Sequence, residues 1–195
     1  MNDHVSSFML SCIEAGAPAP VLVGVDSRGR LDGVLFEMTL RQTYRNTGPA
    51  NLEVVYTFPL ASGAVLLGFG SELNGQRMEG VVVAKRDAER QYEKSLAEGD
   101  APVMLEASAG GLHTANIGNL KPGDELVLEV RYGQVLSFEQ GRLRIAVPTT
   151  IAPRYGSPHA AGLQPQQVPS VSISVDHRLA LALDVMAPLD AGTLD

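Results

Sequence analysis

Histidine and cysteine are the residue types in this sequence best suited to catalysis or metal binding, and the chain has few of them. It contains four histidines and one cysteine, namely His4, His113, His159, His177 and Cys12. No two of these have the short spacing at which metal ligands cluster, and the single thiol has no second one to pair with. The sequence therefore predicts no catalytic residue, no cofactor-binding residue and no metal site.

Complete catalytic motifs are also absent from the sequence. There is no G-x-S-x-G nucleophile elbow, no G-x-x-x-x-G-K-[ST] phosphate loop, no H-E-x-x-H zinc motif and no D-x-S-x-S adhesion motif. One histidine, His113, lies between apolar residues of a predicted strand beside Thr114, where protonation near neutral pH could matter. We therefore expect a non-enzymatic protein, with a small-ligand-binding or enzymatic module that uses His113 or His159 as the alternative.

Composition and charge exclude several classes of protein. The chain has 195 residues, 45% of them hydrophobic and 19% charged, which is typical of one folded domain with an attached piece. Its net charge of −7 opposes binding to nucleic acid and to anionic membranes. No apolar run approaches the roughly 18 residues that cross a bilayer, and the N-terminus lacks a basic signal-peptide start. We expect no membrane insertion and a cytoplasmic location, or a secreted or surface-attached one if the chain is an excised fragment.

The hydrophobic pattern predicts a mainly β fold. Residues 34–41 alternate between apolar and polar side chains, as in a strand with one buried face, and a turn at 27–30 is predicted before them. Asn74-Gly75 predicts a tight hairpin, and residues 143–148 are predicted to form a late strand. Residues 85–98 show helical spacing. The whole chain reads as an antiparallel β-sandwich of about nine strands with one inserted helix.

From Pro148 onwards the sequence becomes rich in proline and loses its regular alternation of apolar and polar residues. Five prolines between 148 and 169 indicate an extended connection, after which residues 171–185 again alternate like a strand. That last strand closes the sandwich or begins a following region. We divide the chain into an N-terminal arm at 1–19, a domain at 20–156, and a proline-rich connection with a terminal strand at 157–195, which is expected to lead to a missing downstream domain.

Several short sequence motifs, in the order in which they occur along the chain, resemble those of the VIT domain of vault proteins and of inter-alpha-trypsin inhibitor heavy chains. They begin with RQTYRN at 41–46, YTFPL at 56–60 and NGQRMEG at 74–80, and continue with DAERQYE at 87–93, NIGNLKPGDE at 116–125 and EVRY at 129–132. The residues that carry the resemblance are Arg45, Asn46, Tyr56, Phe58, Pro59, Asn74, Gly75, Glu79, Gly80, Tyr92, Leu105, Glu106, Thr114, Asn119, Pro122, Gly123 and Tyr132. Their residue types indicate turns, strand ends and packing positions.

The resemblance implies a β-sandwich interaction module of a larger protein, which normally precedes a von Willebrand type A domain. Because the sequence has no signal peptide and a mixed Ala, Gly and Leu composition, we expect that protein to be bacterial. The resemblance also implies an unidentified protein partner, possible contact with that downstream domain, and an adhesion-type metal site in the downstream domain instead of this one. A third possibility comes from the sequence itself: an exposed edge strand after Pro169 could pair with another chain and make a self-associating β module.

Overall fold

The structure is a computed structural model that describes residues 9–13, 18–61, 63–78, 85–100, 102–107, 112–147 and 177–186. These residues form ten strands and one helix. In chain order they are β1 (Met9–Cys12), β2 (Val21–Asp32), β3 (Leu35–Arg45), β4 (Leu52–Pro59), β5 (Val65–Leu73), β6 (Gln76–Met78), α1 (Lys85–Glu98), β7 (Val103–Ala107), β8 (Leu112–Leu120), β9 (Glu125–Val135) and β10 (Arg178–Val185).

The strands form two sheets that enclose the core. The smaller sheet has the order β1-β4-β8-β7 and the larger one the order β10-β2-β3-β9-β5-β6. All pairs are antiparallel except β10, which runs parallel to β2. The predicted mainly β fold with one inserted helix is thus confirmed. The last described strand, β10, which the sequence predicted either to close the sandwich or to begin a following region, joins the larger sheet.

The core lies between the two sheets and is rich in aromatic side chains. On β3, Phe36, Met38 and Leu40 are at most 3% exposed, which confirms the predicted alternation. Phe58 of the smaller sheet stacks on Phe69 of the larger one, with ring centroids 5.8 Å apart. Burial of such aromatic and aliphatic surface is the main source of stability in a fold of this size.

The turn between the first two long strands lies later than predicted. The sequence placed it at 27–30, but these residues lie within β2, and the chain turns at Gly33, which has a φ of 59°. Gly29 is needed for packing instead. A Cβ at this position would lie 2.8 Å from Leu183 Cδ1 and 3.0 Å from Phe36 Cε2. Glycine is therefore required here because these side chains approach the backbone closely, and not because the chain turns.

Two further segments differ from or extend the sequence predictions. The predicted strand at 143–148 is wrong, since residues 143–147 make no strand pairing and follow a turn at Gly141, although Leu143, Ile145 and Val147 pack against the core. Within the predicted N-terminal arm, β1 pairs with β4 and buries Leu10. By contrast, the Asn74-Gly75 hairpin is confirmed, with φ values of 50° and 84°.

The helix has the predicted bounds and packs on the smaller sheet over a glycine. A Cβ at Gly118 would collide with the Leu96 side chain and lie 3.3 Å from the Tyr92 hydroxyl, so only glycine lets the helix approach. Asn119 then caps the helix end, because its Nδ2 donates to Leu96 O at 2.9 Å and to Asp100 O at 2.6 Å. Gly99 follows the helix with a φ of 85°. Among the described residues, no helix is long and apolar enough to cross a membrane.

We predict that Gly118→Ala destabilises the domain by about 1–3 kcal/mol, because the added methyl group overpacks the contact with Leu96. Urea unfolding followed by circular dichroism measures this. The matched control is Gly68→Ala on β5, where a Cβ would meet nothing within 4 Å. We expect the control to change stability by less than about 0.5 kcal/mol. Equal effects of the two substitutions would show that the helix does not depend on the close approach.

Candidate functional site

The outer face of the larger sheet carries a cluster of opposite charges, which we call the acid–base patch: Arg41, Glu72, Arg77 and Glu129. The Arg41 guanidinium lies 3.5 Å from Glu72 Oε2 and 3.7 Å from Glu129 Oε2. The Arg77 Nη2 lies 3.6 Å from Glu129 Oε1. The Glu129 carboxylate therefore lies between two arginines, and the four side chains link strands β3, β5, β6 and β9.

Sheet register positions the acid–base patch. Arg41 on β3 is directly opposite Glu129 on β9, and Glu129 is opposite Gly70 on β5. The Arg77 side chain lies over Gly70 of β5, where a Cβ would be at an ordinary van der Waals distance of 3.6 Å from Arg77 Nη2. These residues, with Ser71 and Val127, line a shallow depression of about 230 Å³ that includes open solvent.

The charges of the patch are available to a partner. The side chains of Arg41 and Arg77 are 45% and 65% exposed, and the nitrogen–oxygen distances of 3.5–3.7 Å are long for ion pairs. Exposed pairs of this kind add little stability, at most about 1 kcal/mol each. A guanidinium has five N–H donors, and those of a long, exposed pair remain able to bind a second carboxylate. The patch can thus form charge-assisted hydrogen bonds with another protein surface.

The residues named above as carrying the resemblance are not members of the patch, and several of them hold turns together at one end of the fold. Asn74 Nδ2 donates to Asp124 Oδ1 at 2.8 Å, and the Glu125 N–H donates to Asn74 Oδ1 at 2.9 Å. Arg45 pairs with Glu125 at 2.6 Å. Gly123 has a φ of 85° and its N–H donates to Asn46 O at 2.8 Å, in the turn that Pro122 begins. This contact set joins three separate loops.

Asn46 is buried at the same end of the fold, where its side-chain amide bonds to three backbone groups. Its Nδ2 donates to Ala50 O and to Leu120 O, both at 2.9 Å, and its Oδ1 accepts from the Gly48 N–H at 3.0 Å. Each polar atom of the amide therefore has a partner, as burial requires. Asn46 acts as a structural link between the two sheets and is not available to a ligand.

A second buried amide joins the sheets through tyrosine hydroxyls. Tyr56 of β4 donates to Gln42 Oε1 at 2.6 Å, and Tyr44 donates to the same oxygen at 3.1 Å. Burial raises the pKa of Tyr44 above the usual value near 10. Burial also raises the pKa of Tyr56, and the neighbouring Tyr44 hydroxyl raises it further. Both hydroxyls stay protonated and act as donors.

The other motif residues are placed as follows. Pro59 ends β4, where it pairs with Leu112, and Tyr132 is 1% exposed in the core. The pairs Leu105–Ala115 and Glu106–Thr114 align β7 with β8. The hydroxyl of Tyr92 donates to Glu53 Oε1 at 3.1 Å. The remaining two, Glu79 and Gly80, lie outside the described residues.

His113 packs against an aromatic ring. Its imidazole stacks on Phe58 with centroids 5.1 Å apart and planes at 14°, so it extends the aromatic cluster of the core. His159 lies outside the described residues. Within the described ranges, no group of three or more His, Cys, Asp or Glu could hold a metal ion.

Sequence analysis did not find the acid–base patch, because its four members are far apart in the sequence. Only the alternation of β3 indicated that Arg41 lies on an outer face.

Comparison with known proteins identifies relatives of one domain type. The Vault protein inter-alpha-trypsin domain pattern, VIT, matches residues 22–132. Mouse protein mono-ADP-ribosyltransferase PARP4 is 26% identical over 140 residues, which cover 72% of this chain and 7% of that protein. Human von Willebrand factor A domain-containing protein 5A is 30% identical over 115 residues, or 57% of this chain and 15% of that protein. The chain thus spans only a small part of these relatives.

We predict that Gln42→Leu destabilises the fold by about 2–5 kcal/mol, because it leaves the buried hydroxyls of Tyr44 and Tyr56 without their acceptor. The triple variant Gln42→Leu, Tyr44→Phe, Tyr56→Phe removes donors and acceptor together and should recover most of the loss. Chemical denaturation of the three proteins measures the difference. A triple variant as unstable as the single one would mean that shape, and not the hydroxyls, accounts for the loss.

We also predict that stability falls as the pH rises above 10. Burial raises the pKa of Tyr132 to about 12, and burial with the Glu53 carboxylate raises that of Tyr92. An unfolded tyrosine ionises near pH 10, so the folded chain retains protons that the unfolded chain loses. The stabilisation is therefore complete below pH 10 and decreases above it. Urea unfolding from neutral pH to about pH 11, with tyrosinate absorbance, tests this. A flat profile would contradict it.

Proposed function

Because this chain belongs to the Vault protein inter-alpha-trypsin domain family, we propose that it is a non-catalytic protein-interaction module. Its partner is a von Willebrand type A domain on the same polypeptide, which the module contacts and supports. Relatives whose names include the von Willebrand factor A domain favour this arrangement. Since the matching segment is a small part of each relative, the type A domain would occupy sequence outside the matched region.

The acid–base patch is the observation that carries the proposal. Interfaces between domains of one chain resemble transient protein interfaces, which are more polar than permanent ones. A partly exposed surface with both signs of charge suits such an interface. Its alternating arginine and glutamate side chains would select a partner surface with the opposite arrangement, because like charges in contact cost several kcal/mol.

The shape of the patch supports the same reading. Gly68, beside the patch, lies on the outer side of β5, and a Cβ there would have nothing within 4 Å. Backbone without side chains allows close approach of a second backbone. The net charge of −7 further favours a protein over nucleic acid as the partner. The alternative that uses His113 or His159 stays a prediction, and the stacking of His113 on Phe58 favours a packing role for that residue.

The test uses the full-length polypeptide. We expect its reading frame to encode a type A domain, and we expect the double variant Arg41→Glu, Arg77→Glu to lower the melting temperature of that domain, because it reverses both basic groups of the patch. Differential scanning calorimetry resolves the two transitions. The melting transition of the VIT module in the same scan checks that the module itself still folds.

The control is Arg28→Glu, Arg30→Glu. These arginines lie on the outer face of β2, are 77% and 60% exposed, and pair only with near neighbours in sequence among the described contacts. The control makes the same charge change outside the patch and should leave the type A transition in place. The proposal is wrong if the polypeptide has no type A domain, or if both double variants shift its transition equally.

A further inference from the structure

The strand β10 forms one edge of the larger sheet and exposes apolar side chains. Among the described strands it pairs only with β2. Its leucines Leu179, Leu181 and Leu183 are 67%, 58% and 45% exposed. They lie on the inner side of the sheet, since their register partners on β2 include Gly29, which faces the core residue Met38. The smaller sheet does not cover them.

The backbone of β10 is directed so that it can accept another strand. The Met186 N–H donates to Leu31 O at 2.8 Å, so the even-numbered residues of β10 direct their backbone groups towards β2. Successive residues of a strand alternate in this direction. The N–H and C=O groups of Leu179, Leu181 and Leu183 therefore point away from β2, towards the side of β10 on which no described strand pairs.

Edge strands are usually protected against pairing with other chains. Common protections are a proline, a lysine, a bulge or an inward-pointing charge. The strand RLALALDV has none of these, and its pairing with β2 is regular over all eight residues. Its charged groups are Arg178 at the start and Asp184 near the end, both on the face with Ala180 and Ala182.

We propose that two copies of this chain associate by antiparallel pairing of their β10 strands about a two-fold axis at Leu181. In this register Arg178 is opposite the partner's Asp184, Ala180 is opposite the partner's Ala182, and Leu179 is opposite the partner's Leu183. Each charge meets its opposite, and each apolar residue meets an apolar one. The leucine positions, whose backbone groups point outwards, form the hydrogen-bonded pairs.

Charge selects this register over its neighbours. A shift that keeps the backbone pairing moves the partner strand by two residues, which places Arg178 opposite the partner's Ala182 or the partner's Met186. Either shift leaves the arginine without a carboxylate. Opposite charges at directly facing positions stabilise a strand pair by about 0.2–1 kcal/mol, and the two-fold axis provides two such pairs.

The paired edge is smaller than a standard protein interface, so we expect a reversible dimer. The sheet order places β10 at the opposite edge from β6, which carries Arg77 of the acid–base patch. Dimerisation therefore leaves that patch accessible, and the two interactions are compatible. One sheet would then continue through both copies.

Sedimentation velocity over a concentration series tests the dimer. We expect Arg178→Asp to weaken dimerisation about tenfold, because it places two carboxylates opposite each other at both ends of the strand pair. The double variant Arg178→Asp, Asp184→Asn removes this repulsion and should recover part of the affinity, and it places no second arginine opposite Arg30, the β2 register partner of Asp184. The control is Lys94→Asp on α1, which makes the same charge change on an exposed side chain away from the edge.

A second variant tests the backbone pairing. Leu181→Pro removes an N–H that points away from β2, so the fold of one copy is expected to persist while the dimer is lost. Circular dichroism checks the fold. A chain that is monomeric at every concentration would overturn the proposal, and protection of the Leu179, Leu181 and Leu183 amides from hydrogen exchange in that monomer would mean that another segment covers the edge. A dimer that Arg178→Asp does not weaken would overturn it too.

Discussion

The hydrogen bond from the Tyr56 hydroxyl to Gln42 Oε1 connects the two sheets at the centre of the core, and much of the structure depends on it. The hydrophobic effect is non-directional, whereas a buried donor and acceptor must meet in a defined geometry. Tyr44 shares the same acceptor, and Phe58 and Phe69 stack beside the pair. The polar contact thus fixes the position of one sheet on the other, and the aromatic rings fill the space around it.

The motif residues of this family have structural roles in this chain. Asn46, Asn74 and Gly123 join three loops at one end of the fold, and Asn119 with Gly118 attaches the helix. Few other residues can replace a side chain that satisfies a buried backbone group, or a glycine that allows close approach. This explains why the sequence motifs are recognisable in a distant relative. Three members of the acid–base patch, Arg41, Arg77 and Glu129, lie within the same sequence motifs, and Glu72 lies outside them.

Sequence reasoning predicted features that depend on local chemistry. The alternation of β3, the Asn74-Gly75 turn and the bounds of α1 each follow from residues close together in the chain. It failed where a residue type had a tertiary cause. Gly29 suggested a turn but is required by the approach of Leu183, and residues 143–147 are apolar because they cover the core outside a strand. The acid–base patch depends on register between β3, β9 and β5, which no local pattern encodes.

The parallel pairing of β10 with β2 has a consequence for the order of folding. Arg178 pairs with Gly24, so β2 waits for the last of the described strands. Closing so long a loop costs more entropy than closing a hairpin, and contacts distant in sequence form slowly. During synthesis the side of β2 that pairs with β10 stays unpaired until β10 emerges. The β2–β10 pairing is therefore expected to form late in folding.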